Sequence, residues 1–161
     1  MVGGYTMKLP IEEQHLRTKI QFLNDLATMM GGFASEKLTF KDISTGAASD
    51  LREASDLARR LVTKYGMSES LGPMTFGKTE ELIFLGREIS TEKNYSEKVA
   101  ADIDKEVSGF ITRAHETAKK IIKTEKKALD AIAAALLEKE NLEQEEFYNI
   151  LKPFDIKPVV T

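Results

Sequence analysis

Apolar positions along this chain recur at two periods, and the longer one dominates. In the first ten residues Tyr5, Met7 and Leu9 alternate with polar neighbours behind Gly3-Gly4, and Pro10 disfavours helix at Leu9. Residues 1–10 are therefore expected to form a short edge strand. From Thr18 to Leu38 the period lengthens. Ile20, Leu23, Ala27, Met30 and Ala34 fall at steps of three and four, which is one stripe on a helix. Gly31-Gly32 interrupts it, at about 1 kcal/mol per glycine relative to alanine, and marks a kink or a close helix contact. Asp42 to Gly46 reads as a turn feeding a second helix, with Ser44 or Thr45 able to cap its free N–H groups. That helix runs to about Tyr65, with Leu51, Ala54, Ala58, Leu61 and Val62 inward and Gly66 as its stop.

The pattern then weakens. Met67 to Asn94 is punctuated by Gly72-Pro73, Gly77 and Gly86-Arg87, with one short strand expected at Leu82 to Leu85. A loop this long and weakly patterned is either a functional hint or a disordered lobe. From Ser96 the helical period returns: Val99, Ile103, Val107, Ile111, Ala114, Ala118 and Ile122 hold one stripe over roughly 40 Å. A helix from about Lys126 to Lys139 carries Leu129, Ile132, Ala133, Leu136 and Leu137, and a short one covers Glu143 to Leu151 before Pro153. The fold class is mainly α: a helical bundle with a short N-terminal β-strand. One domain spans residues 1–161, as an edge strand (1–10), helices (18–66), a loop region (67–94) and a C-terminal helical bundle (95–152).

Composition removes several functions. A net charge of −3, with Lys and Glu interleaved, lacks the basic excess of a phosphate-binding surface, so no nucleic acid partner is expected. The absence of cysteine excludes disulfides, thiol nucleophiles and cysteine-based zinc sites. No run approaches the roughly 18–20 apolar residues that span a bilayer, so the segment itself is expected to be soluble and to make no membrane contact.

Candidate chemistry is sparse. The two histidines are His15 and His115, and the second opens His115-Glu116-Thr117-Ala118-Lys119. A zinc-protease helix needs His-Glu-x-x-His, because two histidines one turn apart share a face and bind the metal while the glutamate activates water. Lys119 stands where the second histidine belongs and would repel zinc, so His115 is expected to be an ordinary helix-surface residue at the border of the apolar stripe. Neither glycine pair has nucleotide-loop spacing, and no serine has a base at motif distance. Chemistry alone leaves Glu36, Asp42, Asp50, Glu53 and Asp56 as solvated charges or caps.

The wording of successive segments goes further. Gly4-Tyr5-Thr6-Met7-x-Leu9-Pro10 resembles the strand of FtsH-type peptidase domains, and Ser44-Thr45-Gly46-Ala47-Ala48-Ser49-Asp50-Leu51-x-x-Ala54 resembles that family's S-T-G-A-x-N-D-L-x-x-A. Ala58-Arg59-x-Leu61-Val62-Thr63-x-Tyr65-Gly66-Met67-Ser68, Leu71-Gly72-Pro73, Phe84-Leu85-Gly86-Arg87, Tyr95-Ser96-Glu97, Ile103-Asp104-x-Glu106-Val107 and Ala135-Leu136-Leu137-Glu138-Lys139-Glu140 follow in the family's order, over roughly residues 3 to 150.

The resemblance implies an ATP-dependent zinc metalloendopeptidase of the FtsH type, of which this chain is the C-terminal part of the peptidase domain. It implies that Asp50 is the aspartate that joins the two histidines of a His-Glu-x-x-His helix around Zn2+. Glu36, matching the first glutamate of the family's G-G-R-A-A-E-E, is implied to support the site, although Phe33 and Lys37 replace an arginine and the second glutamate. Gly4, Tyr5, Thr6 and Met7 are implied to form the edge on which an extended substrate lies. The family's His-Glu-x-x-His, ATPase module and membrane anchor lie upstream of the Gly-Tyr-Thr strand, so Met1 is expected to be an artificial start and the chain alone inactive. A membrane-anchored homo-hexamer that consumes ATP and degrades unfolded or membrane proteins on the cytoplasmic, stromal or matrix side is the implied parent. The alternative is a non-catalytic helical module that joins a hexameric protease ring.

Overall fold

Two helix starts lie where side-chain chemistry places them. Thr18 accepts from the Gln21 backbone N–H while the Gln21 side chain accepts from the Thr18 N–H at 2.8 Å, a reciprocal capping box. Ser96 accepts from the Val99 N–H at 3.3 Å and opens the longest helix. The computed structural model describes residues 16–77 and 94–156. In chain order they form α1 (Lys19–Met29), α2 (Gly31–Thr39), α3 (Ala48–Thr63), α4 (Glu97–Thr124), α5 (Lys126–Lys139) and α6 (Gln144–Leu151). Single 3₁₀ turns precede α3 at Thr45–Ala47 and follow α6 at Lys152–Phe154. No strand occurs among the described residues; the strands expected at 1–10 and at Leu82 to Leu85 lie outside them.

The core forms where α1, α2 and α3 pack against α4. It is built from Phe22, Leu26 and Met30, then Ala34, then Ala54, Leu57, Ala58, Leu61 and Val62, closed by Ile103, Phe110, Ala114 and Ala118. The inward stripes of α3 and α4 agree with the periodicity, with Leu57 and Phe110 added. In α1 the stripe is rotated: Phe22 and Leu26 are buried while Ile20 is 70% exposed. Two rows, one through Ile20 and Leu23 and one through Phe22 and Leu26, meet at Met30 and Ala34, so period alone could not separate them. The second wins because it buries a larger ring, which stacks on Tyr65 at 5.4 Å between centroids. The Gly31-Gly32 interruption is a break rather than a kink. Met30 is at once the last cap of α1 and the first of α2.

At the far end of α3 the chain turns through Gly66, whose φ of +60° a side chain would resist. The following loop is held against α4 by buried Ser68. Its hydroxyl donates to Glu106 Oε2 at 2.8 Å and accepts from the Leu71 N–H at 3.1 Å. The α5–α6 pair packs mainly on itself, Lys139 bonding to Glu146, and leaves Leu137 87% exposed.

Two outcomes test this packing. Phe110→Ala is expected to cost about 3–5 kcal/mol by urea denaturation, against about 0.5 kcal/mol or less for Leu137→Ala. Glu106 is held below the ordinary carboxylate value of 4.5, chiefly by the Ser68 hydrogen bond and against the opposing effect of burial. A lowered folded-state pKa gives stability that is fully present above the unfolded value and is lost as pH falls through the folded one. Wild type should therefore lose stability below about pH 4.5 more steeply than Ser68→Ala, as read from urea midpoints across the acid range.

Candidate metal-ligand site

Asp50 sits in the first turn of α3, half-buried, where the helix dipole favours a carboxylate. Its side chain faces α2. A methyl group placed on Gly32 would stand 3.7 Å from Asp50 Oδ2, in ordinary van der Waals contact, so the carboxylate lies beside α2 at this glycine. Among the described residues the Asp50 carboxylate has no hydrogen-bond or ion-pair partner, which leaves its oxygens available to a ligand.

One turn further along α2, and so on the same face as Gly32, Glu36 holds the segment that leads into α3. The Ser44 N–H donates to Glu36 Oε2 at 2.7 Å and the Ser44 hydroxyl donates to Oε1 at 3.0 Å. The same hydroxyl oxygen accepts from the Gly46 N–H at 3.0 Å, capping the 3₁₀ turn that runs straight into α3. Both oxygens of Glu36 are thus committed to Ser44. Its carboxylate is a fastening for the loop, and Asp50 is the acid left open.

The remaining acids separate cleanly. Asp42 accepts from the Ile43 N–H at 2.8 Å and shapes its own turn. Glu53 and Asp56 lie exposed beside an open cleft of about 440 Å³ shared with Met29 and Arg60. His115 is more covered than a surface histidine, with its side chain 19% exposed, because the Phe33 ring packs edge-on against it at 5.4 Å. Lys37 Nζ lies over the Phe33 ring, 5.8 Å from its centroid, so the two residues that depart from the family pattern stack on each other beside His115. Gly4, Tyr5, Thr6 and Met7 lie outside the described residues.

A carboxylate oxygen is a normal zinc ligand, at about 2.0–2.2 Å. Asp50 fits one corner of such a site. Among the described residues no group of three or more histidine, cysteine or acidic side chains could hold a metal ion. The Glu36–Ser44 bond, which links acids and hydroxyls eight residues apart, was not evident from spacing; the only signal for it was the Ser-Thr-Gly turn.

An α-helical scaffold here presents one open carboxylate, a donor type that metal sites use, while the acid one turn from Gly32 is occupied by a loop. Comparison with known proteins makes the class specific: the model of peptidase family M41 matches residues 1–150, and the chain belongs to that family. It is 48% identical over 149 residues to the ATP-dependent zinc metalloprotease FtsH of Caldicellulosiruptor bescii, covering 92% of this chain and 24% of that protein. With ATP-dependent zinc metalloprotease FtsH 1 of Thermomicrobium roseum it shares 51% identity over 146 residues, covering 91% of this chain and 22% of the relative. The FtsH of Thermotoga maritima is 45% identical over 148 residues, again 92% of this chain and 24% of the relative. The chain therefore spans about a quarter of the length of these relatives. No helix among the described residues is long and apolar enough to cross a membrane.

Glu36→Ala removes both acceptors of the Ser44 group. It is expected to cost about 1–2 kcal/mol in urea denaturation, with Asp42→Ala changing stability by less than half as much.

Proposed function

We propose that this chain is the C-terminal part of the peptidase domain of an FtsH-type, ATP-dependent zinc metalloendopeptidase, and that Asp50 is the zinc ligand it contributes. The observation that carries this is the free Asp50 carboxylate set against Gly32 in a family M41 chain. Zinc, when bound, would lower the pKa of a coordinated water and polarise the scissile carbonyl. The chain's own part is to hold one anionic oxygen in place, with Glu36 supporting the turn from which Asp50 projects. Gly4 to Met7 would offer backbone N–H and C=O groups to an extended substrate, a mode that reads conformation rather than sequence.

In the parent, ATP acts through a module outside this chain. Unfolded or membrane proteins are the substrates, and the subunits assemble as a homo-hexamer anchored in a membrane, with this domain on the cytoplasmic, stromal or matrix side. The second reading, a non-catalytic module joining a hexameric ring, draws support from Leu136 and Leu137, 41% and 87% exposed on α5.

The two readings separate by assay. This chain alone is expected to show no casein hydrolysis with zinc and ATP, since its sequence lacks a His-Glu-x-x-His. Asp50→Ala in a full-length relative carrying this segment should abolish zinc retention and proteolysis while leaving the fold of the segment unchanged by circular dichroism. Retained zinc and activity would remove Asp50 from the site.

A further inference from the structure

We propose that Ser44 is a positioning residue for Asp50, holding the turn that opens α3 so that the carboxylate in its first turn faces Gly32. The inference rests on Asp50 being the metal ligand, but its geometry does not. A carboxylate only accepts, so the proton of the Ser44 hydroxyl must point to Glu36 Oε1, 3.0 Å away. The hydroxyl's lone pairs are then free to accept from the Gly46 N–H, also at 3.0 Å. This gives a directed chain: Gly46 N–H to Ser44, and Ser44 O–H to Glu36. The second bond from Ser44, N–H to Glu36 Oε2 at 2.7 Å, fixes the same residue at a second point.

The polarity reaches Asp50 through backbone alone. Gly46 belongs to the Thr45–Ala47 turn, and Ala48 donates back to the Thr45 carbonyl as α3 begins. Ala47 is 3% exposed and seats that turn in the protein. Asp50 follows Gly46 by four positions, about one helical turn, so it stands nearly above the residue whose N–H Ser44 holds. A slip of one residue would swing it by about 100° and take it off α2. A side chain at Gly46 would crowd this chain of bonds: a Cβ there would stand 3.2 Å from both Glu36 Oε1 and Ser44 Oγ, and each would have to shift by a few tenths of an ångström.

Nuclear magnetic resonance on this chain tests the proposal without metal. Ser44→Ala is expected to speed Gly46 amide exchange by about fivefold or more and to shift the Asp50 side-chain carboxyl ¹³C resonance, leaving the Leu61 and Ile103 amides protected. Ser44→Thr, which keeps the hydroxyl, should restore both. An Asp50 resonance unmoved in Ser44→Ala overturns the proposal, and so does an equal loss in Ser44→Thr. General loss of protection that includes Leu61 and Ile103 overturns it as well, because Ser44 would then hold the fold rather than aim Asp50. Zinc content of a full-length relative carrying the segment gives the other readout: Ser44→Ala should lower occupancy at limiting zinc, and Ser44→Thr should not. Zinc retained in Asp50→Ala sinks the ligand assignment, and the resonance data then decide the positioning claim separately.

Discussion

Burial of one face of α4 is the constraint on which the other elements depend, since α1, α2 and α3 each find their main apolar partner there. Ile103 and Phe110 supply the bulk of that face, and Ala114 and Ala118 continue it with almost no side chain. Large residues give the area that drives association, on the order of 25 cal/mol per Å² removed from water. Small ones let helix axes approach closely. Polar links across the same seam are secondary. Arg59–Asp104, between α3 and α4, is an exposed pair at 3.0 Å, a kind that contributes little in water.

That seam fixes where α2 and α3 run, and the buried stripe of α3 fixes which way that helix is turned. The Glu36–Ser44–Gly46 hydrogen bonds fasten the turn that opens α3, where Asp50 lies beside Gly32. The two contacts lie one turn apart along α2, so the start of α3 is docked at two points rather than one. This division of labour gives two acids of similar chemistry different fates. Glu36 is occupied because Ser44 brings it two donors; Asp50, beside Gly32, faces none among the described residues.

Much of the helical frame was legible in the sequence because burial imposes period on α3 and α4, and because Thr18, Ser44 and Ser96 have the hydroxyls that helix starts need. In α1 the sequence was ambiguous: two apolar rows shared Met30 and Ala34, and only the stacking of Phe22 on Tyr65 selects between them. Asp50 was visible through its neighbours' wording and not through its own chemistry, since an acid in a first helical turn is commonplace. The bond from Glu36 to Ser44 was invisible, as was the grip of Ser68 on Glu106 across 38 residues, because pairings between elements leave no periodic trace. Phe33 and Lys37 looked like losses from the family pattern. In the fold Phe33 packs edge-on against His115 and Lys37 lies over the Phe33 ring, a packing role that spacing does not announce.

The length of α4 has a mechanical consequence. Its 28 residues make a continuous strut of about 42 Å, with core residues from Ile103 to Ala118 along it. Because α1, α2 and α3 all pack on that one strut, a bend in α4 would disturb all three contacts at once. Stiffness in α4 thus keeps α2 and α3, the two helices that frame Asp50, in line with each other.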